Sequence, residues 1–281
     1  MRILVTGAKG MLGRTLARHL SGHELTLVDV ADFDLTDAKA TQAAVEAAKP
    51  ELVIHGAAYT AVDKCETEVE AAFAVNATGS ANIAMASHRV GARLFAISTD
   101  YVFSGDSDVP YVETDPTAPN TVYGQSKLAG ENAVRAHCPD HAILRIAWLY
   151  GAGGPSFVHT MMKLGAQDGA ALRVVNDQHG NPTSCDAVAR GIQNLIEVPA
   201  AGTFHFTCEG ETTWYDFTKA IFELKGFSRG IDPCSTDEYP RPAPRPKSSR
   251  LDNRSLRANH LPALPDWKSA LETFFAEHPE G

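Results

Sequence analysis

The sequence predicts an α/β protein: a doubly wound, Rossmann-like parallel sheet with a smaller C-terminal domain for substrate. Three observations predict it. Short apolar runs alternate with longer amphipathic stretches through residues 1–150. Those runs are apolar throughout instead of at every second residue. A glycine-rich turn, Gly7-Ala8-Lys9-Gly10-Met11-Leu12-Gly13, joins the first run to the first amphipathic stretch. Alternation of this kind implies parallel strands with helices on both faces of the sheet. Strands buried on both faces need side chains that are apolar on both.

Taken in order, the first half predicts strands over 2–6, 25–30, 52–55, 94–98 and 142–147. Between them it predicts helices over 11–20, 40–48, 71–90 and 122–136, the third broken little by Gly79. Residues 1–150 are read as a dinucleotide-binding domain. The second half is less regular. It predicts helices over 156–166, 186–196, 214–224 and 267–276, and strands over 172–175 and 202–206. Residues 186–200 are expected to return to the first domain, and the rest of 151–281 to form the substrate-binding domain. Pro240, Pro242, Pro244 and Pro246 exclude both a helix and a central strand from their segment. Arg241 and Arg245 are interleaved with them, which leaves open a plain surface loop and an ordered lid over substrate.

The chain has 281 residues, enough for a full core. With 44% hydrophobic and 21% charged residues, disorder, collagen and coiled coil are excluded. No apolar run approaches the roughly 20 residues of a membrane span, and the N-terminus does not resemble a secretory signal. The five cysteines never form a C-x-x-C pair, which argues against a disulfide framework or a zinc site and suits the reducing cytoplasm. The 34 acids outnumber the 25 bases for a net charge of −9, which disfavours nucleic acid as a partner. A small anion stays open, because salt screens the distant charges beyond about 10 Å.

Candidate functional residues gather where ligands of open α/β sheets sit, beyond the carboxyl ends of the strands. Gly7, Gly10 and Gly13 permit a tight turn and close backbone approach to a pyrophosphate, which the helix N-terminus attracts through unpaired N–H groups. The spacing is G-x-x-G-x-x-G. Asp29 ends the second strand 19 residues after Gly10, placed to bond the adenosine ribose hydroxyls and to favour NAD. Asp34 and Leu35 follow in a loop suited to the adenine. Ala57 and Ala58 follow the third strand, where small residues let the cofactor pass. Tyr123 and Lys127 lie four apart, on one helix face. A lysine ammonium, with a nicotinamide cation, is expected to lower the phenol pKa from its usual value near 10. Thr99, at the tip of the fourth strand, can bond the carbonyl oxygen that Tyr123 protonates. Trp148 follows the fifth strand, where core packing and stacking on a sugar or base are both open. Residues 176–183 hold turn formers and polar groups, read evenly as a β-turn or a substrate wall. Asn76-Ala77-Thr78 matches a glycosylation acceptor, which inside a predicted helix carries no function.

The glycine motif, Thr99 and Tyr123…Lys127 together resemble the extended short-chain dehydrogenase/reductase superfamily. Further segments narrow this to a resemblance to its dTDP-4-dehydrorhamnose reductases. They are Ala57-Ala58-Tyr59-Thr60-Ala61-Val62-Asp63-Lys64, Ser98-Thr99-Asp100-Tyr101-Val102-Phe103, and Val122 through Glu131. Arg145 through Tyr150, Asn176 through Thr183, and Arg245 through Leu251 complete a match over residues 1–252. The resemblance implies reduction of the 4-keto group of dTDP-4-dehydro-L-rhamnose to dTDP-L-rhamnose with NADPH or NADH. It implies Tyr123 as proton donor, Lys127 as its partner and ribose ligand, and Thr99 as polarising hydroxyl. Gly7, Gly10, Met11, Leu12, Asp29, Asp34, Leu35, Ala58, Tyr59, Thr60, Tyr123 and Lys127 would hold the cofactor. Thr99, Asp100 and Trp148, with Tyr123, would contact the nucleotide sugar. Val62 and Asp63 rank second. Some members form homodimers with Mg²⁺ on acidic side chains, one of which is Thr15 here, so no metal is expected. Two rivals stay open: a non-catalytic dinucleotide-binding regulatory subunit, and a nucleotide-sugar epimerase or dehydratase of the same superfamily. The first is disfavoured by the intact Thr99, Tyr123 and Lys127.

Overall fold

The computed structural model describes residues 1–199 and 201–279. At its centre is a six-stranded parallel sheet. Five strands come from the first half: β1 Arg2–Thr6, β2 Glu24–Val28, β3 Leu52–His55, β4 Arg93–Thr99 and β5 His141–Ile146. The sixth is Gly202–His205, which pairs with β5 at the sheet edge. The order runs sixth–β5–β4–β3–β1–β2. After β1 the chain steps outward to β2 and then back across to β3. That reversal opens a crevice at the carboxyl ends of β1 and β3.

Successive residues of β1 feed two separate cores. Ile3 and Val5 pack with Leu12 and Leu16 on one face, and Leu4 packs with Val53, Leu94 and Ile143 on the other. This is the physical content of a strand that is apolar at every position. The edge strand β2 departs from the expectation, being partly or fully exposed along its length; among the described residues no strand pairs with its outer side.

The helices of the first half are α1 Met11–His19, α2 Ala38–Ala48, α3 Val62–Cys65, α4 Val69–Phe73, α5 Ser80–Arg89 and α6 Val122–His137. Asp37 caps α2 by accepting from Lys39 N at 2.8 Å and Ala40 N at 3.1 Å, and Thr121 caps α6 by accepting from Gly124 N at 3.0 Å. The uninterrupted helix expected over 71–90 is corrected. Between α4 and α5, residues Ala74–Gly79 widen into a π-helix. Such bulges gather at functional sites, and this one does.

In the second half, helix Cys185–Ile196 lies against α1. The segment expected to return to the sheet ends at Ala200, which lies outside the described residues. Helices Phe157–Gly165, Trp214–Lys225 and Trp267–Glu277 share the core of that face. Strand Leu172–Val175 pairs with Ile231–Cys234, and His179–Gly180 lies between Thr212–Thr213 and Ser248–Ser249. Residues 240–246 form no regular element. Among the described residues, no helix is long and apolar enough to cross a membrane.

Candidate active site

A cleft of about 860 Å³ opens at the carboxyl ends of β1, β3, β4 and β5. Every residue expected to hold the cofactor or to contact the nucleotide sugar lines it, apart from the second-ranked Asp63. The first strand brings Gly7, Gly10, Met11 and Leu12, the second Asp29, Asp34 and Leu35, and the third Ala58, Tyr59 and Thr60. The fourth strand brings Thr99 and Asp100, α6 brings Tyr123 and Lys127, and the fifth strand brings Trp148. Val62 also borders it; Asp63 instead pairs with Arg245 at 2.9 Å and accepts from Ala243 N at 3.2 Å. The proline segment thus reaches the loop after β3 without lining the cleft.

The glycine turn has the shape a pyrophosphate needs. Gly7 has φ +69°, and a Cβ there would lie 2.8 Å from Ala57 N. A Cβ on Gly13 would lie 2.4 Å from Gly7 O. Both are therefore steric requirements for glycine. Gly10 caps α1 with no side-chain bond, so the first amides of the helix keep their donors for an anion. Asp29 braces this turn, its Oδ2 accepting from Lys9 N at 2.9 Å and its Oδ1 from Val30 N at 2.9 Å. Asp34 accepts from Thr36 N and Thr36 Oγ1, each at 2.8 Å, and these bonds hold its carboxyl below the usual carboxylate range. The residues present fit a dinucleotide.

The loop after β3 is tied to α6 through the π-helix. Asn76 Oδ1 accepts from Tyr59 N at 2.8 Å, and its Nδ2 donates to Tyr59 O at 3.1 Å and Ser126 Oγ at 2.9 Å. Ser126 Oγ in turn donates to Tyr123 O at 2.8 Å. A Cβ at Gly130 would lie 2.2 Å from Asn76 O. Below the loop, Thr6 Oγ1 and His55 Nδ1 are 2.8 Å apart, and His55 Nε2 and Ser80 Oγ are 3.1 Å apart. Burial first, and then Lys127, pull His55 down to about 3, so it stays neutral. Tyr59 donates to Glu68 and is pushed up to about 12 by that bond and by burial.

Tyr123 and Lys127 stand one turn apart on α6, both buried. Burial raises the Tyr123 phenol above its ordinary value, and a hydrogen bond with Thr99 works the other way. Burial outweighs that bond, and the expected lowering calls for the nicotinamide cation as well as the Lys127 ammonium. The Lys127 ammonium donates to Ile97 O at 2.8 Å. Burial draws it down to about 8, with Glu131 pulling it up. Thr99 Oγ1 donates to Asp100 Oδ1 at 2.9 Å. Burial lifts Asp100 to about 6 against bonds from Ser249 and Thr99, and its Oδ2 is buried with no partner.

Sequence reasoning missed the groups that hold these in place. Asn76 is one. Glu131 is another: it is buried one turn beyond Lys127 and accepts from Ser98 Oγ at 2.6 Å. Arg145 bonds it through Nε at 2.8 Å and Nη2 at 2.7 Å, and Arg135 through Nη2 at 2.8 Å. Burial opposes its charge, but these partners win and keep it below the usual carboxylate range. The available signal was Glu131 itself, a carboxylate on the buried face of the Tyr–Lys helix. As to metals, the donor atoms of Asp186, Glu277 and His278 lie within 4.8 Å of one another, away from the cleft, with Asp186 already engaged by Arg18 at 3.1 Å and His19 at 2.8 Å.

Comparison with known proteins agrees with this arrangement. The chain is 44% identical over 283 residues to a dTDP-4-dehydrorhamnose reductase of Streptomyces griseus, covering 98% of this chain and 93% of that one. A solved dTDP-4-dehydrorhamnose reductase of Clostridium acetobutylicum superposes with TM-score 0.96 at 44% identity, covering 99% of both chains. That of Bacillus anthracis, in complex with NADP, superposes with TM-score 0.96 at 39% identity over 98% of this chain and 99% of that one. The family model described as the RmlD substrate binding domain matches residues 1–279. With that match over nearly the whole chain and relatives 44% identical across it, this protein belongs to the RmlD substrate binding domain family.

Proposed function

We propose that this chain is an NADPH- or NADH-dependent oxidoreductase that reduces the 4-keto group of dTDP-4-dehydro-L-rhamnose to give dTDP-L-rhamnose. The observation that carries the reading is the meeting of Thr99, Tyr123 and Lys127 in the same cleft as the glycine cradle. The bound dinucleotide supplies the hydride. Thr99 and Tyr123 converge on the position of the ketone oxygen. Tyr123, kept protonated by burial, hands its proton to that oxygen as charge builds there. A phenol raised by burial is fully protonated at neutral pH but gives its proton up reluctantly, so the transfer needs the phenolate stabilised as it forms. Lys127, held at Ile97 O, has donors left for the cofactor ribose, and its charge steadies the phenolate that remains. Fixing ketone, phenol and hydride source together supplies most of the acceleration.

A second reading draws on Asp100. A buried carboxyl lifted to about 6 beside Thr99 is an acid–base group of the kind a nucleotide-sugar dehydratase uses, with no net consumption of NAD(P)H. One experiment separates the two. Absorbance of NADPH and of NADH is followed with dTDP-4-dehydro-L-rhamnose and with dTDP-4-dehydro-6-deoxy-glucose. Stoichiometric loss with the first supports the reductase. No net loss with either, alongside tight cofactor binding, overturns it.

A further inference from the structure

Trp148 holds a backbone conformation that aromatic residues rarely adopt. Its φ is +48°, in the left-handed region, where a Cβ crowds the neighbouring carbonyl. Such a conformation persists where the surroundings impose it. Here they do so specifically. The Trp148 indole lies flat on that of Trp214, with centroids 3.4 Å apart and planes 6° from parallel. A Cβ at Gly180 would lie 2.4 Å from Trp148 Cε2, so glycine alone admits the ring edge. The Trp148 carbonyl accepts from Thr183 N at 3.2 Å.

Trp214 is itself pinned. Its Nε1 donates to Gln178 Oε1 at 3.0 Å, and Gln178 Nε2 donates to Thr236 Oγ1 at 3.0 Å. It opens the helix Trp214–Lys225, whose cap Thr213 donates to Asn176 Oδ1 at 2.7 Å. Phe157 packs on it with centroids 4.3 Å apart. Asn176, Gln178 and Gly180 therefore all serve one indole pair. Trp148 borders the cleft; Trp214, Gln178 and Gly180 stand behind it.

We propose that Trp214 is a positioning residue for the sugar nucleotide. It backs Trp148, so that Trp148 offers a fixed aromatic face to the C–H face of the pyranose ring. The inference rests on the reductase reading above. An aromatic plane suits the flat, apolar side of a sugar, and a platform already ordered before binding spares the cost of ordering it. Trp214 then acts on sugar affinity, leaving hydride transfer and cofactor binding alone. Residues 176–183 in turn become the seat of the platform, with no contact of their own to the ligand.

The test compares Trp214→Leu, Trp214→Phe and Gln178→Leu with the wild type. KM and kcat are measured with dTDP-4-dehydro-L-rhamnose, and Kd for dTDP-L-rhamnose and for NADPH by calorimetry. Trp214→Leu is expected to raise KM and the dTDP-L-rhamnose Kd about tenfold, with kcat and the NADPH Kd unchanged. Trp214→Phe, which keeps a ring, is expected to recover most of the loss. Gln178→Leu, which frees the indole, is expected to raise KM severalfold, and decides the matter if Trp214→Leu does not fold. Unchanged KM in both leucine variants overturns the proposal, as does a joint fall of kcat, sugar affinity and NADPH affinity. A wild type that binds dTDP-L-rhamnose without turning over any 4-keto sugar defeats the reductase reading alone, since the Kd ratios still judge Trp214.

Discussion

Lys127 Nζ donates to the backbone carbonyl of Ile97 at 2.8 Å. That bond ties the Tyr–Lys helix to the strand that ends in Thr99, and so links the elements that carry the proposed proton donor and the proposed polarising hydroxyl. It also fixes the ammonium before any cofactor arrives. The bond is a charge-assisted one in a dry site, where such bonds are strongest. Its cost is that the charge is held in a buried place, and Lys127 is drawn down to about 8 in consequence.

Replacing Tyr123 with phenylalanine removes the proton donor and keeps the ring that packs edge-on against Tyr101 at 5.4 Å. Turnover is expected to fall by about 10²–10⁴-fold, the usual worth of positioned acid catalysis. NADPH affinity is expected to hold. Steady-state kinetics and a fluorescence titration of NADPH check both, and undiminished turnover removes Tyr123 from the role.

The pKa of Lys127 predicts an alkaline limit. Its folded value, about 8, lies below the ordinary 10.5, so the ammonium loses its proton as pH rises through 8 in the free enzyme. NADPH affinity is expected to weaken across that interval. Lys127→Met is expected to show the weak affinity at every pH and no alkaline step. A wild-type Kd that is flat from pH 7 to 9.5 refutes the assignment.

Much of this was legible in the chain itself, and for a physical reason. A parallel sheet puts each ligand-facing loop directly after an apolar run, so Gly7, Asp29, Ala58, Thr99 and Trp148 each carry a local mark of their place. The supporting groups carry no such mark. Asn76 sits in a stretch whose pattern is helical, and its neighbours Tyr59 and Ser126 are 17 and 50 residues away. Nothing local distinguishes a π-helix that turns one amide inward from an ordinary turn that faces out. The tripeptide Asn76-Ala77-Thr78 therefore gave no hint of the hydrogen bonds that Asn76 makes to Tyr59 and Ser126. Trp214 was equally hidden, because the strain at Trp148 that requires it is a property of the folded backbone.

Asn76→Ala follows as a prediction. It leaves the buried Ser126 hydroxyl without its donor and Tyr59 N without its acceptor, and leaves the half-buried Tyr59 carbonyl with Cys65 Sγ at 4.0 Å alone, at about 1–3 kcal/mol for each buried group unpaired. Denaturant unfolding is expected to show a loss of that order. The loop from Ala58 to Thr60 loses its tether to α6, so NADPH Kd is expected to rise as well. Normal affinity with reduced stability makes Asn76 a structural residue only.

Glu131→Gln tests the pair beneath Lys127. Arg145 is buried with the carboxylate at 2.7 Å, and removing one charge of a buried pair strands the other, typically at about 3–5 kcal/mol. The variant is expected to unfold at markedly lower denaturant. Its alkaline step in NADPH affinity is expected below the wild-type position, because Glu131 is the group that pulls Lys127 upward. A variant as stable as wild type with an unmoved step refutes both roles.

Asp100 gives the opposite sign, and stability and activity should part company there. Burial lifts its carboxyl from 3.8 to about 6, so the folded chain prefers the protonated acid. A raised folded pKa means the group's contribution to stability is fully present below 3.8 and is lost as pH climbs through 6. At pH 7 the buried charge is therefore a burden, one that leaves Asp100 Oδ2 without a partner. Asp100→Asn keeps the shape and discards the charge. It is expected to raise Tm at pH 7 by about 2–4 °C for each kcal/mol relieved, and to lose that advantage progressively as pH falls from 6 to below 3.8. If the carboxylate accepts a hydroxyl of the sugar nucleotide, wild-type KM rises as pH falls through 6, and the variant shows a high KM at both ends. A variant that is more stable and weaker for sugar marks a carboxylate retained for its ligand; one that is less stable at pH 7 shows that Ser249 and Thr99 already satisfy it.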